Sequence, residues 1–116
     1  MREIKFRVWD TKSESMEYEI AIGKGYGEDS YILFLGLGET FIIDDDIVKI
    51  MQYTGLKDKN NVEIFEYMEI DNTYEVSFLN GSYVLTNISN GDIILLSNYM
   101  ENNNGKVEIT REYTKV

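Results

Sequence analysis

Apolar and polar residues alternate over short stretches along much of the chain, which is the pattern of half-buried β-strands. Ile4, Phe6 and Val8 occupy every second position near the start, so we predict a first strand that turns these three side chains toward the core. The polar residues 10–15 then indicate a turn, and alternation over residues 16–22 predicts a second strand. The first two strands should therefore form a hairpin.

The next apolar stretches predict strands over residues 31–37 and 40–43. Residues 47–53 fit either the apolar face of a helix or a strand. We predict a strand, because β-branched residues are frequent in this stretch and Tyr53-Thr54-Gly55 follows its apolar run.

A charged turn at residues 57–61 separates this apolar run from a second one that begins at Val62. Asparagine tolerates the left-handed backbone conformation that such tight turns need. We predict that the junction divides the chain into two small β-rich parts, residues 1–52 and residues 53–116.

The clearest local signal is Asn80-Gly81, which lies between two alternating stretches and predicts a tight hairpin, because both residues accept positive φ. Short strands joined by such turns predict a small SH3-like barrel for residues 53–116. The predicted fold class is therefore mostly β, with at most short helical turns. Further predictions in this part are a strand over 64–70, turns at 90–92 and 102–105, a helical turn near 97–100 and a last strand over 106–110.

Charge narrows the range of partners. The 116 residues carry a net charge of −10, with 7 basic and 12 acidic residues in the first 58 positions and 4 and 9 in the last 58. The acidity is thus spread over the whole chain, and such a surface repels nucleic acid phosphates and anionic lipids. We expect no direct binding to nucleic acid or to a membrane.

The chain contains neither cysteine nor histidine, so thiol nucleophiles, disulfides and the commonest general base near neutral pH are absent. A pair of carboxylates can catalyse hydrolysis without histidine, but nothing in the sequence selects two of its many acids. We expect a protein that is not an enzyme and uses no cofactor. The alternating first residues are unlike a signal peptide, and no apolar run approaches the ~20 residues of a membrane helix, so we expect a soluble cytoplasmic protein.

Asp44, Asp45 and Asp46 are the candidate metal ligands, because three carboxylates could contribute to a divalent cation site. Neighbouring side chains of a strand point to opposite faces, and the spacing of an EF-hand loop is absent. A solvated turn, or the cap of a short helical turn, is the alternative that we prefer.

The glycine-rich residues 23–30 could form a phosphate-binding loop, but no Gly-Lys-Ser or Gly-Lys-Thr is present, and a turn between strands is expected instead. Glu66 and Glu69 are interpreted as solvent-facing acids, and Trp9 as a core side chain or an anchor between the two halves.

Residues 1–10 (MREIKFRVWD) and 51–60 (MQYTGLKDKN), with Gly91-Asp92-Ile93-Ile94 after the later hairpin, resemble the YopX family. The resemblance implies a small protein of phages or prophages, chiefly from Gram-positive bacteria, with a mostly-β, barrel-like and oligomeric structure. The family has no known biochemical function, so the resemblance supplies no catalytic residues. This chain has Asn60-Asn61 where members commonly have Asn-Gly, and Glu66-Tyr67-Met68 where many have Glu-Gly-Asp.

Our leading hypothesis is a non-enzymatic phage accessory protein that binds a host or phage protein and also self-associates. A more specific form of this hypothesis is that the dispersed carboxylates of the protein mimic nucleic acid and occupy a basic groove on a host enzyme. The alternative is a small-ligand-binding module with a pocket in a barrel mouth or between subunits. Lys24 and the glycine-rich residues 23–27 would then be the first place to look.

Overall fold

The computed structural model describes residues 3–18, 20–24, 31–35, 40–42 and 48–113. They divide into two compact units. The N-terminal unit lies within Lys5–Met51, and the C-terminal unit consists of Gln52–Tyr113 with Glu3 and Ile4. These described ranges contain twelve strands and one short helix, which confirms the mostly-β prediction.

The N-terminal unit is built from two sets of antiparallel strands. β1 and β2 form the predicted hairpin, in which Trp9 lies opposite Met16, and β3, β4 and β5 form a three-stranded sheet in that order. The strands are β1 (Phe6–Asp10), β2 (Ser15–Glu17), β3 (Ile20–Lys24), β4 (Tyr31–Leu35) and β5 (Thr40–Ile42).

One continuous strand over residues 16–22 was predicted, and this is wrong. β2 ends at Glu17, and β3 begins at Ile20 and pairs with β4 instead of β1. Alternation specifies which face a side chain occupies, but it does not specify the partner strand. A change of partner can therefore occur inside an unbroken alternating pattern.

The predicted core face of β1 is also wrong in part. Val8 is buried as expected, but Ile4 is 68% exposed, whereas Arg7 on the opposite face is 0% exposed. The Arg7 guanidinium donates to Tyr18 Oη at 3.4 Å and approaches Met51 Sδ at 3.6 Å. Arginine can be buried in this way because its stem is apolar and its planar head offers several donors.

The described residues of this unit include a cluster of aliphatic side chains. Val8 and Val48 are buried at its centre, and Ile20, Ile22 and Ile50 pack against them. Trp9 is buried as predicted.

β6 (Val48–Lys57) is a strand of ten residues, which confirms the strand prediction from Val48 onward; Ile47 lies outside the described residues. Its first four residues belong to the N-terminal unit and its last six to the C-terminal unit.

The C-terminal unit contains a five-stranded antiparallel sheet in the order β11-β10-β9-β8-β12. The predicted Asn-Gly hairpin is confirmed, because Asn80 (φ 51°) and Gly81 (φ 84°) join β9 to β10. The elements of the C-terminal unit after β6 are β7 (Glu63–Phe65), β8 (Glu69–Ile70), β9 (Tyr74–Leu79), β10 (Ser82–Asn87), β11 (Ile93–Leu95), α1 (Leu96–Asn102) and β12 (Ile109–Arg111).

Two strand predictions in this unit need correction. Residues 64–70 do not form one strand, because Tyr67 at φ 68° makes a turn between β7 and β8. The last strand begins at Ile109 and not at residue 106, since the turn after α1 extends to Lys106, whose N–H donates to Asn103 O at 2.9 Å.

The core of the C-terminal unit is formed by apolar side chains from both its strands and its helix. The buried apolar side chains of the unit are Tyr53, Ile64, Phe65, Met68, Ile70, Val76, Val84, Leu85, Leu96 and Val107. That residues 53–116 close into an SH3-like barrel stays a prediction.

Among the described residues, no helix has the length and apolar character needed to cross a membrane.

Candidate functional site

A groove of about 470 Å³ opens on the surface of the C-terminal unit. Three separate stretches of chain form it: the end of β6, the β9–β10 hairpin and the junction between β11 and α1. Its lining residues are Gln52, Thr54, Leu56, Phe78, Gly81, Ser82, Tyr83, Leu95, Leu96 and Ser97.

The β6 side of the groove depends on a local irregularity in the strand. Tyr53 pairs with Phe65 but Lys57 pairs with Glu63, so β6 has more residues than its partner β7 between these two positions. Gly55 lies in this bulge at φ 86°, a backbone conformation that glycine adopts without steric cost.

Thr54 replaces the ladder hydrogen bonds that the bulge interrupts. Its hydroxyl group donates to Ile64 O at 2.8 Å and accepts from the Leu56 N–H at 3.2 Å. Thr54 is buried, so these bonds prevent two backbone polar groups from being left without partners in the interior. The Tyr-Thr-Gly sequence thus has a structural explanation.

The hairpin side of the groove carries two aromatic rings. Phe78 and Tyr83 lie opposite each other across β9 and β10, with ring centroids 5.0 Å apart at 62°. Tyr83 also directs its hydroxyl group toward Tyr53 O at 3.5 Å. Phe78 is nevertheless 54% exposed, so a large apolar surface faces solvent at the groove.

The third side combines one buried and one exposed leucine. Leu96 is buried at the start of α1, whereas Leu95 at the end of β11 is 42% exposed. Ser82 and Ser97 add hydroxyl groups at the solvent-facing positions of the lining.

Among the residues that the structure describes, those that line the groove are all uncharged. In the whole stretch of residues 76–100, Asp92 is the only charged residue, although the chain has 32 charged residues in total, 11 basic and 21 acidic. The groove is therefore a neutral and partly apolar surface on an acidic protein, and it suits a ligand or partner that presents uncharged groups.

The conspicuous acids of the C-terminal unit are engaged in structural hydrogen bonds. Asp58, which is buried, accepts from the N–H groups of Asn60 and Val62 at 2.9 Å through Oδ1 and from that of Ile109 at 3.3 Å through Oδ2. The Lys59 N–H donates to Val107 O at 2.8 Å. Asp58 therefore closes the charged turn after β6 and fixes it against the start of β12.

Asp71 has a similar role at the turn between β8 and β9. Its Oδ1 accepts from the Glu108 N–H at 2.9 Å, and its Oδ2 accepts from the Tyr99 hydroxyl at 2.7 Å. Burial and the adjacent Asp71 carboxylate raise the pKa of Tyr99 to about 12.

Glu66 and Glu69 are not the solvent-facing acids that we predicted. Both are half-buried. Glu66 accepts from the Gln52 N–H at 2.6 Å, and Glu69 accepts from the Thr110 hydroxyl at 2.8 Å. We predicted exposed side chains because residues 64–70 were interpreted as one alternating strand. This stretch contains a turn, so the alternation does not indicate which side chains face solvent.

The candidate metal ligands Asp44, Asp45 and Asp46 lie outside the described residues, as do residues 25–30 of the glycine-rich stretch. Lys24 is the last residue of β3. Within the described part of the chain, no group of three potential metal-ligating side chains occurs.

Sequence reasoning missed the groove, which combines residues that are more than 40 positions apart. One signal could have found it: the nearly charge-free residues 76–100, with several large apolar side chains, are unusual in so acidic a chain.

Comparisons with known proteins agree with this fold. None of the curated proteins matches the sequence. A crystal structure of protein EF1440 from Enterococcus faecalis is similar over 97% of this chain and 94% of that chain, with a TM-score of 0.60 and 21% identity. At this identity the similarity shows the fold alone. A family model described as YopX protein matches residues 5–108, and the chain therefore belongs to the YopX family.

Proposed function

We propose that this protein is a non-enzymatic accessory protein of a phage or prophage that acts by binding a host or phage protein. Its compartment would be the cytoplasm of an infected or lysogenic bacterial cell. The observation that carries the proposal is the neutral groove, with Phe78 and Leu95 exposed, on a chain of net charge −10. Exposed apolar patches bordered by polar residues are typical of protein-binding surfaces.

The position of the described acids supports a non-enzymatic role. In a chain without histidine or cysteine, carboxyl groups are the first candidates for a general acid or base, and such a group must lie within reach of a substrate. None of the described residues that line the groove carries a carboxyl group, while Asp58 and Asp71 each accept backbone hydrogen bonds that hold turns together. Replacing either acid should therefore affect stability before it affects any interaction.

The groove also favours one form of protein interaction over another. A nucleic acid mimic would present an ordered acidic surface, and its binding would weaken steeply with salt. Contact through Phe78, Tyr83 and Leu95 instead gives a complex that depends on apolar burial and depends little on salt.

Comparative affinity capture from infected or lysogenic cells tests the proposal. The bait proteins are the wild type, a groove variant (Phe78→Ala with Leu95→Ala) and a matched control (Val62→Ala with Ile88→Ala), whose two exposed apolar side chains lie outside the groove lining. The proposal predicts a protein that the wild type and the control capture and the groove variant does not. Capture of no protein, or equal capture by all three baits, would contradict it.

A small-ligand-binding module is the second candidate, and the size of the groove favours it. A volume of about 470 Å³ lies within the roughly 300–1,000 Å³ of small-molecule pockets. Thermal shift measurements with uncharged metabolites and nucleosides test this function. A compound that raises Tm of the wild type, but not that of the groove variant, would support it over protein binding.

A further inference from the structure

Three Asn-Gly dipeptides occur in the chain: Asn80-Gly81, Asn90-Gly91 and Asn104-Gly105. In this dipeptide the glycine nitrogen can attack the side-chain carbonyl carbon of asparagine. A C–N bond forms, ammonia leaves, and a succinimide ring results. Water then opens the ring to give aspartate or isoaspartate, so the net change is one amide exchanged for one carboxyl group. The dipeptide itself is the same at all three places, so it does not distinguish them.

The structure distinguishes them by the hydrogen bonds of the glycine N–H. Gly91 donates to Asn87 O and Gly105 donates to Met100 O, both at 2.8 Å. Attack requires the glycine nitrogen to give up its proton and turn toward the asparagine side chain, so each of these hydrogen bonds must first break. At the second site, Asn90 Oδ1 also accepts from the Asp92 N–H at 2.8 Å, which holds the reacting amide in place.

Gly81 lacks this protection. It lies at the tip of the β9–β10 hairpin, where Leu79 and Ser82 form the last ladder pair, and the loop N–H groups of such a hairpin point away from the ladder. Among the residues that the structure describes, the Gly81 N–H donates no backbone hydrogen bond of the kind that Gly91 and Gly105 donate. No atom lies within 4 Å of the position that a Cβ on Gly81 would take, and the same holds at Gly91 and Gly105. The hydrogen bonds of the glycine N–H groups are therefore what distinguishes the three sites.

We propose that Asn80 is a site of spontaneous modification, at which the exposed hairpin tip deamidates to aspartate and isoaspartate while Asn90 and Asn104 are protected. Two consequences follow. Isoaspartate inserts a methylene group into the backbone of a two-residue turn, so the β9–β10 hairpin loses its ideal geometry. Either product adds a carboxylate beside Gly81, which lines the groove.

The test follows each dipeptide in the folded protein during incubation in mildly alkaline buffer, by ion-exchange chromatography and peptide mapping, with a parallel sample in urea. We expect Asn80 to convert at least about tenfold faster than Asn90 and Asn104 in the folded protein, the size of effect that one hydrogen bond gives. In urea the three rates should converge. The Asn80→Gly variant keeps a turn-compatible residue and should produce no acidic form from this hairpin.

Two results would overturn the proposal. One is an Asn80 rate in the folded protein no greater than that of Asn90 or Asn104. The other is an Asn80 advantage of the same size in urea, since the reactivity would then come from the local sequence and not from the hairpin. The modification site does not depend on the proposed function, and peptide mapping decides it without any binding measurement.

Discussion

The hydroxyl group of Tyr99 donates a 2.7 Å hydrogen bond to Oδ2 of Asp71 and so joins helix α1 to the turn between β8 and β9. The ring of Tyr99 also contacts Tyr74 edge-on, with centroids 5.1 Å apart. The helix has seven residues and no side-chain hydrogen bond at its N-terminus. Because isolated helices of this length are unstable, α1 depends on such tertiary contacts.

This contact gives the protein a pH dependence at alkaline pH. The pKa of Tyr99 is raised to about 12 from 10.0, so the contact contributes fully below pH 10 and its contribution is lost as the pH rises toward 12. Tyr99→Phe should lower the free energy of unfolding by about 1 kcal/mol at neutral pH, and this difference should shrink over that window. Urea unfolding across the pH range measures it, with Tyr74→Phe as the control that leaves the hydrogen bond intact.

Asp58 provides a second prediction, because its carboxylate accepts three backbone N–H groups. In Asp58→Asn, an NH₂ group replaces one oxygen and cannot accept from Ile109. The variant should lose about 1–3 kcal/mol of stability in urea denaturation. Asp92→Asn changes an exposed acid and serves as the control, so its free energy of unfolding should stay within about 0.5 kcal/mol of the wild-type value. Equal losses of stability in the two variants would argue against the role of Asp58.

Thr54 is predicted to act through its hydroxyl group. Thr54→Val keeps the shape of the side chain but leaves Ile64 O and the Leu56 N–H without their partner, so we expect a loss of about 1–3 kcal/mol. Thr54→Ser keeps the hydroxyl group and should be the more stable of the two variants. If the valine variant were the more stable, the explanation of the Tyr-Thr-Gly sequence would be wrong.

Tyr67 allows a comparison of alanine and glycine at one position. Its φ of 68° is unfavourable for a residue with a Cβ, and both variants lose the ring contact with Tyr113 at 5.8 Å. Tyr67→Gly should therefore be more stable than Tyr67→Ala by about 1 kcal/mol. At Glu75, in the interior of β9, the order should reverse, with alanine more stable than glycine. Thermal denaturation of the four variants measures both differences.

The elements that the sequence predicted well are those with a local cause. Asn80-Gly81 specifies its own turn because both residues accept positive φ, so the hairpin follows from a few neighbouring residues. Alternation likewise predicts most strands, since period two is a property of one strand.

The elements that the sequence predicted poorly depend on distant contacts. Asp58 bonds to Ile109, 51 positions later, and no local pattern shows that partner. Arg7 is buried and its guanidinium contacts Tyr18 and the distant Met51, whereas alternation placed it on the solvent face. Tyr67 turns the chain at a positive φ that its residue type disfavours, so a strand was predicted across it.

The groove could not be predicted for the same reason, since β6, the β9–β10 hairpin and the β11–α1 junction form it together. Its neutral character, however, is visible in the sequence, because residues 76–100 contain one charged residue, Asp92.

The most direct test of the account is the Kd of the captured protein for the wild type, the groove variant and the control variant, at low and high salt. If the groove is the binding surface, the groove variant should bind at least about a hundredfold more weakly than the wild type, as expected when two anchor side chains are removed. The Kd of the control variant should stay close to that of the wild type, and all Kd values should depend little on salt. Equal Kd values for the three proteins, with binding that weakens steeply as salt rises, would contradict the central claim and indicate that the acidic surface makes the contact.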